Sequence, residues 1–143
     1  MRHVLLVEDN PLNQALIEDI FRDGKLPGKL VCVGSAEEAL RILPSLDPLV
    51  VLMDVMLPGM SGIEATKVIK GDPATSRVRV WAVTARNALS DIDEALAAGC
   101  DGYFTKPVSP KHLAEQLRVF ESEEVLNLVH QTVGQTHEHD PAD

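Results

Sequence analysis

The sequence is poor in cysteine and in aromatic residues, and it has no long apolar run. Cys32 and Cys100 are its two cysteines among 143 residues, too few and too far apart for the disulfide framework of a small secreted domain. We expect both thiols to be reduced and buried. No stretch of 18 consecutive apolar residues occurs, which excludes an ordinary membrane-spanning helix. The first residues lack the pattern of a signal peptide, so we expect a cytoplasmic protein.

Positive charge is also scarce. The chain has 13 Lys and Arg residues against 22 Asp and Glu residues, which gives a formal net charge of −9. A chain this acidic is repelled by phosphate backbones, so direct binding to nucleic acid is not expected. Apolar residues make up 45% of the chain, enough to form the core of one domain of this length. This composition excludes a disordered chain.

Short apolar runs alternate with segments in which apolar residues recur at helical spacing. The runs predict five strands, at residues 4–7, 30–33, 49–53, 78–83 and 102–105. The amphipathic segments predict five helices, the last of which begins at residue 110 and ends near residue 120. Strands that are apolar throughout are typical of parallel strands covered on both faces. The sequence therefore predicts a doubly wound α/β fold with a five-stranded parallel sheet.

Polar side chains capable of chemistry follow four of the predicted strands. Glu8 and Asp9 follow the first strand, and Asp54 follows the third. Thr84 ends the fourth strand and Lys106 follows the fifth. Because doubly wound sheets bind ligands at the carboxyl ends of their strands, we expect these side chains to converge. Three close carboxylates repel one another unless a cation lies among them, and oxygen ligands suit Mg²⁺. An aspartate beside such a cation can attack a phosphoryl group.

The segment VLMDVMLPGMSG, residues 51–62, resembles the phosphoacceptor segment of two-component response regulator receiver domains. Three further segments match the other landmarks of that family in order, namely residues 4–10, 83–85 and 103–107. Four segments in register are a specific signal, and the resemblance covers about residues 3–120. It implies a flavodoxin-like sheet with strand order 2-1-3-4-5. It also implies that Asp54 accepts a phosphoryl group from a histidine kinase or a histidine phosphotransfer protein.

The resemblance implies a role for each residue of the site. Asp9 would bind Mg²⁺ directly, with Mn²⁺ as a substitute, and Glu8 would bind it through water. Asp54 and the backbone carbonyl of Met56 would be further ligands of the metal. Thr84 would be the switch hydroxyl, and Lys106 would contact the phosphoryl group.

A second set of residues is implied to switch, tune and transmit the signal. Tyr103 would swing inward when Thr84 moves toward the phosphoryl group, and the peptide bond between Lys106 and Pro107 would be cis, since proline lowers the cost of that form. Neither Met56 nor Arg86 can position an attacking water, so we expect a long-lived aspartyl phosphate. Output would run through the face of helix 4, strand 5 and helix 5, with candidate residues Leu89, Glu94, Tyr103, Lys111, Glu115 and Arg118.

The chain continues beyond the resemblance, which leaves a receiver domain at residues 1–121 and an extension at residues 122–143. We expect a short helix from Ser122 with an apolar stripe, followed by a disordered acidic tail. The extension is too short for an output domain. The effector is therefore expected to be a separate protein, or the chain is a fragment of a larger regulator or hybrid kinase. A monomer and a phosphorylation-linked dimer both remain open.

Other function classes fit the residues less well. Phosphohydrolases with an aspartate nucleophile place a second aspartate two residues later, where this chain has Met56. A nucleotide-binding protein would carry a glycine-rich phosphate loop after the first strand, where this chain has Glu8 and Asp9. A receiver-like scaffold that binds partners without phosphate remains the alternative. We expect a protein that catalyses only its own phosphorylation and dephosphorylation, not a metabolic enzyme.

Overall fold

The computed structural model describes residues 2–85 and 89–134 of the chain. Within these residues, five parallel strands form one sheet in the order β2-β1-β3-β4-β5. The strands are β1 (His3–Val7), β2 (Lys29–Val33), β3 (Pro48–Asp54), β4 (Val80–Ala85) and β5 (Gly102–Lys106). The predicted doubly wound sheet and its strand order are confirmed.

Helices connect the strands and cover both faces of the sheet. They are α1 (Pro11–Gly24), α2 (Ala36–Ile42), α3 (Gly62–Gly71), α4 (Leu89–Ala97) and α5 (Pro110–Gly134), with a short 3₁₀ turn at Leu43–Ser45. Side-chain caps determine where the helices begin. Asn10 accepts a hydrogen bond from the backbone N–H of Leu12 at 2.8 Å, and Ser35 accepts one from the N–H of Glu38 at 3.1 Å.

Two apolar clusters hold the layers together. On one face of the sheet, Leu6 of β1 packs with Ile17 of α1 and Leu113 of α5. On the other face, Leu5 packs with residues of α2, α3 and α4, such as Ile69. The strands point successive side chains to opposite faces, and both faces are buried in the three central strands β1, β3 and β4. This is why these three strands are apolar except near their ends.

Two predicted boundaries were wrong. Strand β4 begins at Val80 and not at residue 78, because the N–H of Val78 is bonded to the carbonyl of Thr75 in a turn. Helix α5 runs without a break through Ser122 to Gly134. No glycine or proline interrupts residues 111–133, so the chain has no strong signal to end the helix. The predicted acidic tail falls on residues 135–143, outside the described residues.

Both cysteines are free thiols, as predicted. Cys100 is buried, whereas Cys32 is only half-buried, because β2 is an edge strand. Burial, with a smaller contribution from the charge of Glu18, raises the pKa of Cys32 to about 11. Among the helices of the described residues, none combines the length and the apolar character that crossing a bilayer requires.

Candidate functional site

The carboxyl ends of β1, β3 and β5 bring three charged side chains together. Glu8 follows β1, Asp54 is the last residue of β3, and Lys106 is the last residue of β5. Glu8 and Asp54 are each 3% exposed, which is rare for carboxylates and requires a partner. Asp9, next to Glu8, is exposed. The convergence predicted from the strand ends is therefore present.

Lys106 is the partner of both buried carboxylates. Its Nζ lies 2.8 Å from Asp54 Oδ2 and 3.0 Å from Glu8 Oε1. Burial lowers the pKa of Lys106, but the hydrogen bonds to Asp54 and Glu8 and the charges of these two groups outweigh burial. The pKa therefore lies above its ordinary value. Lys106 stays protonated and holds the two carboxylates close to each other. We refer to Glu8, Asp9, Asp54 and Lys106 as the Lys106 cluster.

Helix α1 holds Glu8 in place from its first turn. The backbone N–H of Asn10 donates to Glu8 Oε2 at 3.0 Å, and Gln14 Nε2 donates to the backbone carbonyl of Glu8 at 2.6 Å. Asp9 and Asn10 both have side chains that can cap a helix, and the cap of α1 is Asn10. The carboxylate of Asp9 is thus not used as the helix cap. Gln14 was not predicted, and its only sequence signal is its spacing of one helical turn from Asn10.

The loop after β3 holds Asp54. The N–H of Met56 donates to Asp54 Oδ1 at 2.9 Å, so each Asp54 carboxylate oxygen has one partner. The N–H of Gly62 donates to the carbonyl of Val55 at 3.2 Å, which draws the start of α3 onto the strand end. A Cβ atom at position 62 would overlap the backbone carbonyl oxygen of Asp54. Gly62 is therefore required by close approach of two backbones, a role that the sequence reading missed.

The acidic residues of the cluster fit a divalent cation. Glu8, Asp9 and Asp54 each offer a carboxylate oxygen, and these oxygens lie within 4.8 Å of one another. Oxygen ligands at this spacing suit Mg²⁺ or Mn²⁺. Lys106 supplies one positive charge against three carboxylates, so the cluster carries surplus negative charge that a cation would neutralise.

Thr84 brings an unused hydroxyl to the same edge. It is 1% exposed, and it follows Val83, whose register partner in the sheet is Asp54. Among the described residues, the Thr84 hydroxyl is the buried side-chain group that has no hydrogen-bond partner. Buried hydroxyls nearly always have a partner, and leaving one unpaired costs about 1–3 kcal/mol. The site therefore contains a donor without an acceptor.

The remaining predicted residues lie around this centre. The Lys106–Pro107 peptide bond is cis, the form that the resemblance implied. The side chain of Met56 is 69% exposed and that of Tyr103 is 46% exposed. Arg86, expected to tune the phosphoryl lifetime, lies outside the described residues.

The candidate output residues separate into two groups. Glu94 of α4, Tyr103 of β5 and Glu115 of α5 are exposed, and Leu89 begins α4. Lys111 and Arg118 are also exposed, but they lie elsewhere: both line a groove between α1 and α5, and Arg118 donates to the carbonyl of Gly24 at 3.2 Å. The sequence had grouped them with the face toward α4 because it does not show which side of α5 meets which neighbour.

Comparison with known proteins gives consistent results. The family described as the response regulator receiver domain matches residues 4–118. The polar-differentiation response regulator DivK of Brucella ovis is 33% identical over 119 residues, which cover 83% of this chain and 95% of DivK.

Two solved structures are similar at comparable identity. One is the receiver domain of the sensor histidine kinase PA1611 from Pseudomonas aeruginosa, with a magnesium ion coordinated in its active-site cleft. It has a TM-score of 0.75 and 33% identity, and covers 83% of this chain and 96% of that one. The other is the receiver domain of Ssk1 in a co-crystal with the histidine phosphotransfer protein Ypd1 from Saccharomyces cerevisiae. It has a TM-score of 0.70 and 32% identity, and covers 81% and 86% of the two chains.

Proposed function

The chain belongs to the response regulator receiver domain family, and we propose that it is a phosphoacceptor switch of a two-component phosphorelay, with Asp54 as the acceptor. A carboxylate oxygen of Asp54 attacks the phosphorus of a phosphohistidine. The new P–O bond forms as the P–N bond breaks, and the histidine nitrogen leaves with the electron pair and is protonated from solvent. The product is an aspartyl phosphate.

The unpaired hydroxyl of Thr84 is the observation that carries this proposal. A phosphoryl group on Asp54 would add acceptor oxygens near the end of β4. The hydroxyl of Thr84 can donate to one of them, and the ammonium of Lys106 can contact another. The buried donor that is unsatisfied now would then be satisfied, so the phosphorylated state is favoured by a contact that the free state lacks.

The three carboxylates fit the magnesium ion that this reaction would use. Asp9 and Asp54, with the backbone carbonyl of Met56, would hold it, and Glu8 would act through water. When bound, the ion neutralises charge on the phosphoryl oxygens. The residues of the chain do the rest: Lys106 orients Asp54, while Asn10 and Gln14 keep Glu8 at the strand end.

Signal output and phosphoryl lifetime follow from the residues around the centre. Movement of Thr84 would open space into which the exposed ring of Tyr103 turns, and this would alter the face formed by α4, β5 and α5. Met56 has no carboxylate or amide with which to position a water, so we expect slow hydrolysis, to which Arg86 would contribute by shielding the phosphoryl group.

The partners would be a phosphohistidine donor and a separate effector protein. The co-crystal of Ypd1 with a receiver domain 32% identical to this chain supports a histidine phosphotransfer protein or a histidine kinase as donor. The effector would contact the exposed residues Glu94, Tyr103 and Glu115. Monomeric protein and a phosphorylation-linked dimer would both be compatible with this output.

Phosphorylation of Asp54 can be tested directly by intact mass. The protein is incubated with phosphoramidate, a donor with a P–N bond, in the presence of Mg²⁺. We expect one phosphoryl adduct on the wild type, none on Asp54→Asn and none in EDTA. Asp47→Asn, which changes an exposed aspartate far from the site, is the matched control and should be phosphorylated like the wild type. Unaltered mass with phosphoramidate and with a purified phosphotransfer protein would favour the phosphate-independent scaffold.

Metal binding can be tested by unfolding in urea at increasing Mg²⁺ concentration. A ligand present at 100 times its Kd adds about 2.7 kcal/mol to the free energy of unfolding. We expect this stabilisation in the wild type and its loss in Asp9→Asn. Asp93→Asn removes an exposed aspartate of α4 and should respond like the wild type. Equal stabilisation of the Asp9 and Asp93 variants would show that Mg²⁺ binds elsewhere.

A further inference from the structure

A deep groove opens between α1 and α5, beside the Lys106 cluster. Its volume is about 560 Å³, within the range of about 300–1,000 Å³ that is typical of small-molecule sites. At its inner end it reaches Glu8, Asp54 and Lys106. The proposed phosphorylation uses that inner end only, and the remainder of the groove has no assigned role.

The walls and floor of the groove are apolar. Ile17 and Ile20 of α1 form one wall, and Ala114 of α5 forms part of the other. The floor includes Leu6 and Val83, which belong to the buried sheet and are 3% and 5% exposed. The floor is the sheet itself, so an apolar group that fills the groove would contact Leu6 and Val83. The volume and the apolar floor fit a small molecule with an aliphatic or aromatic body.

The two rims of the groove differ in their free charge. On α1, the acidic residues Asp19 and Asp23 are both paired with Arg22, at 2.6 Å and 3.2 Å. On α5, Lys111 has no hydrogen bond or ion pair to any part of the chain that the structure describes, and Arg118 uses one nitrogen to bond the carbonyl of Gly24. Arg22 balances only one of the two aspartates, so the α1 rim keeps one negative charge. The α5 rim carries two positive charges, although the chain as a whole carries −9.

We propose that this groove binds an anionic amphiphile, a carboxylate attached to an aliphatic or aromatic body. The apolar body would lie between Ile17, Ile20 and Ala114. The carboxylate would remain at the rim, where Lys111 and Arg118 donate charge-assisted hydrogen bonds to it. This assignment does not depend on phosphorylation of Asp54.

Decanoate, below its micelle concentration, is the probe for a first test. Its affinity for the full chain is measured by calorimetry, and its position by NMR of ¹³C-labelled methyl groups. We expect shifts at the methyl groups of Ile17, Ile20 and Val83, and affinity about tenfold higher than that of decanol. Shifts confined to exposed methyl groups such as those of Leu96, equal affinity for decanol, or no binding would each overturn the proposal.

Charge variants separate recognition of the carboxylate from general apolar binding. Lys111→Gln combined with Arg118→Gln should weaken decanoate about tenfold and leave decanol unchanged. Arg41→Gln combined with Lys67→Gln removes the same charge from exposed positions of α2 and α3 and should leave both ligands unchanged. Equal weakening by the two double variants would contradict a specific site. If a histidine phosphotransfer protein shifts the Val83 methyl groups and decanoate does not, the groove is a protein-docking surface and the proposal fails.

Discussion

Two lysines bind carboxylates at opposite edges of the same sheet, and the two clusters differ in whether positive and negative charges are equal in number. At the amino edge, Lys70 Nζ lies 2.9 Å from Asp101 Oδ2 and 2.7 Å from the carbonyl of Val78. Asp101 Oδ2 also accepts the backbone N–H of Val80 at 2.9 Å. One cation meets one anion, and the neighbouring backbone groups are paired. We refer to these residues as the Lys70 cluster.

In the Lys106 cluster at the carboxyl edge, the negative charges outnumber the positive charge and a neighbouring polar group is unpaired. Lys106 faces the two buried carboxylates of Glu8 and Asp54, and Asp9 adds a third negative charge beside them. The nearby hydroxyl of Thr84 is buried without a partner. Surplus charge and an unpaired donor are both unfavourable in the free protein.

The comparison separates polar groups that stabilise the fold from polar groups that are suited to binding a ligand. The Lys70 cluster is complete, so any change to it should weaken the protein. The Lys106 cluster has surplus negative charge and an unpaired donor, so some changes to it should strengthen the protein while they abolish its proposed function. Functional sites often contain charges or polar groups that lack a partner. Here the surplus negative charge and the unpaired hydroxyl both lie at the carboxyl edge of the sheet. Some mutations at the two edges should therefore change the free energy of unfolding in opposite directions.

Replacing the lysine of each cluster should give the largest effect on the free energy of unfolding. Without divalent ions, Lys106→Met leaves two buried carboxylates with one backbone N–H each and no positive charge between them. It should lower the free energy of unfolding by about 3 kcal/mol. Lys70→Met leaves Asp101 bonded to the N–H of Val80, and should lower it by about 1–2 kcal/mol. Urea unfolding in EDTA near neutral pH measures both. Equal losses in the two variants would remove the distinction between the clusters.

The difference in stability between the wild type and Lys106→Met should depend on pH, because the pKa of Lys106 is raised. Because its pKa is higher in the folded state than the unperturbed value of 10.5, the stabilisation from Lys106 is complete below that value. It is lost as the pH rises through the pKa of the folded state. We therefore expect the difference in the free energy of unfolding between the wild type and Lys106→Met to be constant from neutral pH to about pH 9. It should narrow once the pH exceeds the unperturbed value of 10.5. The exposed Lys67, mutated to Met, is the control for general effects of alkaline pH.

Neutralising one aspartate in each cluster should change the free energy of unfolding in opposite directions. Asp54→Asn removes one of three close carboxylates and leaves Lys106 paired with Glu8, so in EDTA it should raise the free energy of unfolding by about 1 kcal/mol. Asp101→Asn removes the one anion that faces Lys70, and should lower it by about 1–2 kcal/mol. Both variants replace a carboxylate with an amide of the same shape. Destabilisation by both would indicate that the charges of the Lys106 cluster are already balanced.

The edge at which the site lies could be predicted from sequence, because topology alone determines it. Apolar runs separated by amphipathic helices require a parallel sheet, and parallel strands place their carboxyl ends together. Glu8, Asp54 and Lys106 follow such runs in the sequence, and they meet in the structure. Their proposed roles came from the resemblance to a family, since spacing by itself does not distinguish a nucleophile from a ligand.

Features that depend on contacts between distant segments could not be predicted. Gly62 matters because α3 approaches the backbone of Asp54, and Gln14 matters because its amide reaches the carbonyl of Glu8. Lys111 and Arg118 were assigned to the wrong side of α5, because helical spacing shows which residues share a face but not which neighbour that face meets. The continuation of α5 through Ser122 was missed for a local reason: serine followed by glutamate suits both a helix start and a helix interior.

Two buried threonines provide the finest comparison, with the smallest expected effects. Thr66 and Thr84 are 0% and 1% exposed, so valine can replace either with little change of volume. The hydroxyl of Thr66 donates to the carbonyl of Gly62 at 2.8 Å, whereas that of Thr84 has no partner. Thr66→Val should therefore lower the free energy of unfolding by about 1 kcal/mol, and Thr84→Val should raise it by up to about 1 kcal/mol.

The same pair connects stability with the proposed switch. If the hydroxyl of Thr84 is held ready for a phosphoryl oxygen, Thr84→Val should gain stability in the free protein and lose the stabilisation that phosphorylation brings to the wild type. Thr66→Val should keep that stabilisation. Urea unfolding of each protein before and after treatment with phosphoramidate and Mg²⁺ measures both quantities, with the adduct quantified by mass. A loss of stability in free Thr84→Val would mean that the hydroxyl already has a partner, such as an ordered water, and is not reserved for a ligand.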